Sequence, residues 1–406
     1  MKIQQSWLIQ GVYIIFLILS IPLVPSLSNA QAIDLEDIIL GHSPVCRTEI
    51  SGGARCHARV RINSKGNPMI TTSPSGYGPN QFLTAYGLTG IAPSDQIIAI
   101  VDAYDHPNIQ SDLNTYSDTF GIPRLPACMG SITTSSIPCF QKVDQNGGQS
   151  YPKVNSGWAL EIALDVEIAH AICQNCKILL VEAYSSSYSD LMSAIDRAVI
   201  MGATVVSNSW GSSEFSGESS YDAHFNLTGI AFTFSSGDSG YGTSYPAASP
   251  YVTAVGGTSL YFSNTSITES AWNKAGSGCS IYEPKPSWQK DNLCSRRTIA
   301  DVSADANPNT GAAIFDSVPY GGHIGWFVVG GTSLSSPIIA GTYALAGGVG
   351  TGIRGNSLPY LQGSSANIND IISGKNGRCG GTYLCKAVPG YDGPTGLGTP
   401  NGVGGF

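Results

Sequence analysis

Charge is scarce in this chain of 406 residues: Asp, Glu, Lys and Arg make up 12 %, and the formal net charge is −8 with no cluster of basic residues. A nucleic-acid partner needs a basic face, so this composition excludes one. Long apolar runs are absent except near the start, where Lys2 precedes an apolar stretch from Val12 to Val24 and small residues follow at Ser28, Ala30 and Ala32. That order reads as a secretory signal over residues 1–32, cut near Ala30 or Ala32, and marks an exported protein. The run is short for spanning a bilayer, so no stable membrane partner is expected after cleavage. What the chain has in quantity is hydrophobic residues, 42 %, with 49 glycines and 23 prolines. This is a globular, loop-rich protein with ample core.

Ten cysteines fall in close neighbours: Cys46 with Cys56, Cys128 with Cys139, Cys173 with Cys176, Cys279 with Cys294, and Cys379 with Cys385. An even count in near pairs on an exported chain points to five local disulfides, although spacing alone does not prove the connectivity. Cys173-Gln-Asn-Cys176 is also the spacing of a redox or zinc pair, but it lacks a thioredoxin-like context or a second ligand pair.

Residues 33–76 are polar, punctuated by Gly, Ser and Pro, and read as a short N-terminal extension. From Tyr77 the pattern tightens. A helix from Pro79 to Leu88 precedes a buried strand from Gln96 to Asp102, and a returning helix spans Ile109 to Phe120. A loop from Gly121 to Gly148 follows, then a helix from Gly157 to Ile172, a strand from Lys177 to Ala183 and a helix from Tyr188 to Met201. A strand from Thr204 to Ser207, a helix from Ser219 to Thr228, and strands at Ile230–Phe234 and Val252–Val255 complete the alternation. Short apolar strands alternating with helices indicate an α/β fold with a parallel sheet covered on both faces. In such sheets ligands bind beyond the carboxyl ends of the strands, where Asp102, Trp210, Asp238 and Ser333 all fall.

Gly330-Gly331-Thr332-Ser333-Leu334-Ser335-Ser336-Pro337 joins the apolar run Trp326–Val329 to a helix expected from about Ser333 to Ala346. Two glycines permit a sharp turn, and a hydroxyl at a helix N-terminus lies where free N–H groups favour an oxyanion. A Ser/Thr-rich helix cap is the plainer reading of these eight residues. The helix from Gly157 to Ile172 is apolar on nearly every side, so it is buried. Glu161 and Asp165, four residues apart, share a face. Two buried carboxyls that close cannot both ionise cheaply; a proton is shared and the apparent pKa of the pair rises. Such a pair can act as base and orienting acid for Ser333, whereas Glu167 is expected on a solvated face. In Ser235-Ser236-Gly237-Asp238-Ser239-Gly240, Asp238 is either a turn former or, kept protonated, a donor to an oxyanion.

Together the motifs resemble those of the sedolisin-type serine-carboxyl peptidases: G-G-T-S-L-S-S-P at Ser333, E-I-A-L-D at Glu161 and Asp165, S-S-G-D-S-G at Asp238, and S-N-S-W-G at Trp210. The resemblance runs over about residues 77–401 and implies a subtilisin-like three-layer αβα fold with a mainly parallel central sheet. It also implies an endopeptidase acting through an acyl-enzyme. Ser333 would be the nucleophile, Glu161 the general base, Asp165 its partner and Asp238 the oxyanion-hole acid. Asp102 falls where some relatives extend the proton network, with Trp210 beside it, and also resembles the strand-end aspartate of subtilisin, a rival partner for Glu161. The resemblance implies one structural Ca2+ ion in a C-terminal loop, held by the side chains of Asp370 and Asp392 and the carbonyls of Ile371, Val388 and Gly390. Val388 stands where a glycine is usual. A Gly-rich surface loop is the alternative. The peptidase domain is thus placed at residues 77–406, with residues 33–76 much shorter than the folded propeptide usual in relatives.

Two other readings stand beside this one. A serine peptidase using histidine would need one of His42, His57, His106, His170, His224 or His323, yet none opens an H-G-T-H-like helix, and most are expected on the surface or in loops. A secreted protein that keeps the fold without activity would bind rather than cut. The expectation is a secreted, monomeric enzyme that takes protein or peptide substrates at acidic pH.

Overall fold

The structure, a computed structural model, describes residues 41–46 and 52–406. The expected signal segment, residues 1–32, lies outside the described residues. Four short strands come first: β1 (His42–Pro44), β2 (Arg55–Cys56), β3 (Arg59–Arg61) and β4 (Ile70–Thr71). From Ala54 to Ile62 small or apolar residues alternate strictly with Arg55, His57, Arg59 and Arg61. Ala54, Cys56, Ala58, Val60 and Ile62 are all buried. This is the two-residue period of a strand, within a stretch that reads as a polar N-terminal extension. Residues 42–46 and 52–71 are woven into the fold.

Helix α1 (Pro79–Ala85) leads to the strands of the central sheet: β5 (Ile97–Ala103), β6 (Phe140–Asp144), β7 (Lys177–Ala183) and β8 (Val205–Asn208). Next come β9 (Trp210–Ser213), β10 (Ala231–Ser235), β11 (Ser244–Tyr245), β12 (Thr253–Phe262) and β13 (Ile267–Ala271). β14 (Gly278–Cys279), β15 (Thr298–Ile299), β16 (Val302–Asp305), β17 (Ala312–Tyr320) and β18 (His323–Gly330) follow. The central sheet has the order β13-β12-β10-β8-β5-β7-β6, with β16 also on β12. All its pairs are parallel except β12 with β13. A second, antiparallel sheet runs β1-β3-β18-β17, with β4 also on β18. A third, β11-β9-β2, is built beside the carboxyl ends of the main strands.

β6 lies inside the region read as a loop. It is a short edge strand whose Gln141 and Lys142 interrupt the apolar pattern. The helix expected over Ser219–Thr228 is a 3-10 segment, Glu218–His224. All five disulfides join the expected neighbours.

Helix α2 (Ile109–Phe120), α3 (Ser156–Ile172), α4 (Tyr188–Ile200) and α5 (Thr332–Leu345) complete the layers. α3 and α5 pack against each other and against the central sheet, while α4 lies on β5, β7 and β8. The arrangement is a mixed α/β fold with a parallel-rich sheet. α3 begins at Asn155, whose side chain accepts from the backbone N–H groups of Gly157 and Trp158, the usual way an Asn satisfies a helix start. Every residue of α3 from Gly157 to Ile172 is buried, including Glu167, which accepts a hydrogen bond from Phe315 N at 3.0 Å instead of facing solvent.

α5 crosses α3 at Gly341, where an added Cβ would fall 2.5 Å from Ile172 Cγ2. Gly341→Leu is therefore expected to overpack the helix pair and to lower stability by about 1–3 kcal/mol, read as a lower denaturation midpoint at unchanged slope.

Candidate active site

β18 delivers the chain to Gly330, and α5 opens at Thr332. Between them Gly331 has φ +89°, and a Cβ there would meet the carbonyl oxygen of His57 and Asp238 Oδ2. Only glycine suits both the angle and the crowding. Ser333, in the first turn of α5, is completely buried. Its hydroxyl donates to the Ser209 carbonyl at 3.2 Å. The Glu161 carboxyl lies nearby, and its interaction with the serine lowers its pKa, against the larger raising effect of burial.

Glu161 and Asp165 project from α3 one turn apart. Burial pushes both carboxyls well above their ordinary range, and the negative charge of Asp102 adds to this for each. Asp102, at the end of β5, is itself pushed up to about 8 by burial. Among the described residues no hydrogen bond reaches either of its oxygens. Three acidic groups in one dry pocket hold their protons in common, because ionising all three there is too costly. Asp165 is oriented by Ser209, whose hydroxyl donates to Asp165 Oδ1 at 2.9 Å. Trp210 donates from Nε1 to the Val101 carbonyl at 2.8 Å, next to Asp102.

Asp238 approaches from the loop after β10. Its Oδ1 accepts from Thr332 N at 2.8 Å and from Thr332 Oγ1 at 2.9 Å, which leaves Oδ2 towards the cleft. Burial raises its pKa to about 6 against the opposing pull of Arg59 and Thr332. The structure thus brings Ser333, Glu161, Asp165, Asp238, Asp102 and Trp210 to one end of the sheet. Ser209 and Thr332 belong with them and were not singled out from the sequence. The S-N-S-W-G and G-G-T-S runs that contain them carried that signal.

Four of the six histidines, His42, His57, His106 and His170, are buried, which corrects their expected surface placement. Only His57 enters the cleft. Its Nδ1 is 2.8 Å from Ser235 Oγ, and burial, with the charge of Arg55, lowers its pKa to about 3. His170 Nε2 donates to the Pro123 carbonyl at 2.7 Å. His106 Nε2 faces Asp112 at 3.4 Å and Asp316 at 3.2 Å, a trio close enough for a metal ion. Asn108 N donates to His106 Nδ1, which places the ring proton on Nε2 against the two carboxylates, and Ser317 also satisfies Asp112. That geometry closes on itself as a buried histidine–carboxylate cluster.

The two arms of the C-terminal loop do meet. Gly390 N donates to Asp370 Oδ2 at 2.8 Å, and the charge of Asp370 helps raise the pKa of Asp392 to about 7, after burial as the main cause. Among the described residues no hydrogen bond is recorded to the carbonyls of Ile371, Val388 or Gly390. Two mutually repelling carboxylates beside unengaged carbonyls suit a hard cation.

Residues 156–348 match the subtilase family model, and the fold is subtilisin-like. Nearer relatives can be named. The chain is 28 % identical to sedolisin of Pseudomonas sp. (strain 101), over 85 % of this chain and 63 % of that protein. It is 29 % identical to kumamolisin of Bacillus sp. (strain MN-32), over 86 % of this chain and 67 % of that protein. The solved structure of Pseudomonas sedolisin, a serine-carboxyl proteinase in complex with two molecules of pseudo-iodotyrostatin, superposes with a TM-score of 0.66 at 26 % identity. That match covers 81 % of this chain and 96 % of the solved one. The chain therefore spans about three fifths of the length of its sedolisin relative.

The raised carboxyls fix how stability depends on pH. A carboxyl whose folded pKa lies above its unfolded value binds protons better when folded, so its contribution is present in acid and lost as pH rises through the folded value. Asp102 moves from 3.8 to about 8 and Asp238 from 3.8 to about 6. The melting temperature is expected to fall between pH 4 and about 8, and Asp238→Asn to flatten the part of that fall that lies below about 6. Scanning calorimetry across the range checks this.

Proposed function

We propose that this chain is an exported serine-carboxyl endopeptidase that cuts protein or peptide substrates in acid through an acyl-enzyme on Ser333. Glu161 takes the hydroxyl proton, with Asp165 and Asp102 as the acids that share protons with it, and Trp210 lies beside Asp102 through its bond to the Val101 carbonyl. Protonated Asp238 donates from Oδ2 to the oxyanion. The observation that most supports this reading is that Ser333 sits against a buried carboxyl of raised proton affinity, whereas among the described residues no histidine hydrogen-bonds it. Five disulfides favour an oxidising compartment, and a monomer is expected.

Asp238 can serve as a donor only while protonated, so casein or haemoglobin hydrolysis is expected to fall as pH rises through about 6. Ser333→Ala should abolish turnover. Glu161→Gln should lower it by on the order of a thousandfold. Near wild-type rates for Glu161→Gln would remove that residue from the mechanism, and inertness of the wild type at every pH would favour a binding role.

Asp370, Asp392 and the carbonyls of Ile371, Val388 and Gly390 would hold one structural Ca2+ ion, whose role is to tie the two arms of the loop together. Excess chelator is expected to lower the melting temperature through loss of a native-state ligand, and added calcium to restore it. An unchanged melt, with no calcium in the purified protein, would overturn the site.

A further inference from the structure

We propose that the cavity between loop 288–293 and loop 383–391 is a carbohydrate-binding site, which holds a neutral pyranose ring by its hydroxyls and its C–H face. The cavity encloses about 430 Å³, within the range of small-molecule sites, roughly 300–1,000 Å³. Trp288, Asp291, Tyr360, Tyr383 and Tyr391 line it, and the four aromatic residues are half-buried. The Tyr391 ring centre lies 6.4 Å from that of Tyr360 and 6.2 Å from that of Tyr383, so the tyrosines form one aromatic wall.

The tyrosine hydroxyls are turned into the protein. Tyr360 Oη donates to Asp301 Oδ1 at 2.7 Å, Tyr391 Oη donates to the Ala300 carbonyl at 2.9 Å, and Tyr383 Oη accepts from Leu293 N at 2.8 Å. What these residues offer the cavity is therefore ring rather than hydroxyl. Two polar atoms are left over. The Asp291 side chain is only 4 % exposed, and its Oδ2 is held by Lys285 Nζ at 2.9 Å and by Thr298 Oγ1 at 2.8 Å. Its Oδ1 has no hydrogen-bond partner among the described residues, and neither has Trp288 Nε1. Buried polar atoms left without partners are costly, so two of them on one cavity call for an occupant. The frame around them is set in advance. Cys279–Cys294 closes one loop and Cys379–Cys385 clips the other. Behind the wall lies the fully buried ion pair of Arg297 with Asp301, and Gln289 Nε2 donates to Tyr360 Oη at 3.0 Å. A site formed before its ligand arrives loses little freedom on binding.

The two free atoms select the class of ligand. One is a donor, the indole N–H, and the other an acceptor, the carboxylate oxygen. A quaternary cation offers nothing to the indole, and Lys285 already answers the charge of Asp291. An anion would be repelled by that same carboxylate. A proline-rich peptide brings carbonyls for Trp288 but no N–H for Asp291. A hydroxyl accepts from the one and donates to the other, and a sugar ring carries several beside a C–H face that suits the negative faces of aromatic rings. The cavity is also remote from the catalytic cleft. Asp301 accepts from Ala254 N, next to Thr253, whose hydroxyl lies 3.1 Å from Tyr343 Oη. Tyr343 stands about 15 Å along α5 from Ser333, at 1.5 Å per residue.

The test is binding, independent of the peptidase reading. The whole protein, carrying Ser333→Ala to prevent digestion, is titrated by calorimetry with cellotriose, chitotriose and mannotriose. At least one is expected to bind with a Kd below about 1 mM. Trp288→Phe keeps the ring and removes only the N–H, and should weaken binding about three- to tenfold. In Asp291→Asn the amide oxygen stays on Lys285 and Thr298, which turns the free acceptor into a donor, and a loss of about tenfold or more is expected. Thermal melts show that both variants are folded. Two further arms identify the source of the sugar. Capture of ribonuclease bearing a mannose-rich glycan, but not of the same ribonuclease without it, points to a glycan on a protein; retention on insoluble cellulose or chitin points to a polysaccharide surface. No binding of any of the three sugars up to about 10 mM would overturn the proposal. So would binding that neither substitution alters, or binding of choline or a proline-rich peptide in place of sugar, and each of these results leaves the peptidase reading standing.

Discussion

Removing carboxyl groups from water is the constraint on which this molecule turns. Glu161 and Asp165 could have been solvated by a half-exposed helix; instead α3 lies wholly inside, beneath α5 and β17. Burial leads the causes that raise Glu161, Asp165, Asp102 and Asp238. It turns ordinary acids into groups that hold protons where an imidazole normally would, and it makes each neighbour's charge count, since opposing charges are poorly screened there. The surrounding fold supplies the dryness: a parallel sheet covered by helices, with the functional side chains at the carboxyl ends of its strands.

Much of this was legible because buried parallel strands and buried helices leave strong marks. β5, β7 and α3 are continuous apolar runs, and their limits in the structure differ from the expected ones by a residue or less. The acidic positions of α3 stood out against that apolar background, as did the G-G-T-S turn. The relation between Asp165 and Ser209 was not legible. A hydroxyl that reaches a carboxyl across 44 positions leaves no local trace. Glu167 was misplaced for a related reason: an acidic residue reads as solvated unless a distant backbone N–H, here that of Phe315, is known to satisfy it.

The N-terminal strands were the larger omission, and here a signal existed. Ala-Arg-Cys-His-Ala-Arg-Val-Arg-Ile, residues 54–62, alternates perfectly, yet every second position is basic and the others are mostly small, so hydropathy averaged over the stretch looks like that of a polar linker. What the alternation could not tell is the partner. β2 pairs with β9 and β3 with β18, so consecutive residues of one segment belong to two different sheets, and the change of partner falls at His57 and Ala58. β6 escaped notice more simply, as an edge strand with polar residues in its middle.

The pairing of β3 with β18 joins Val60 to Val329 and Arg59 to Gly330, three residues ahead of Ser333. During synthesis the early strand must wait for nearly the whole polypeptide before it finds its neighbour. The segment that completes its sheet is the same one that carries the nucleophile into position. The catalytic helix and the sheet edge beside it can therefore come together only once residue 330 has been made, so the serine and its surroundings are assembled late and together.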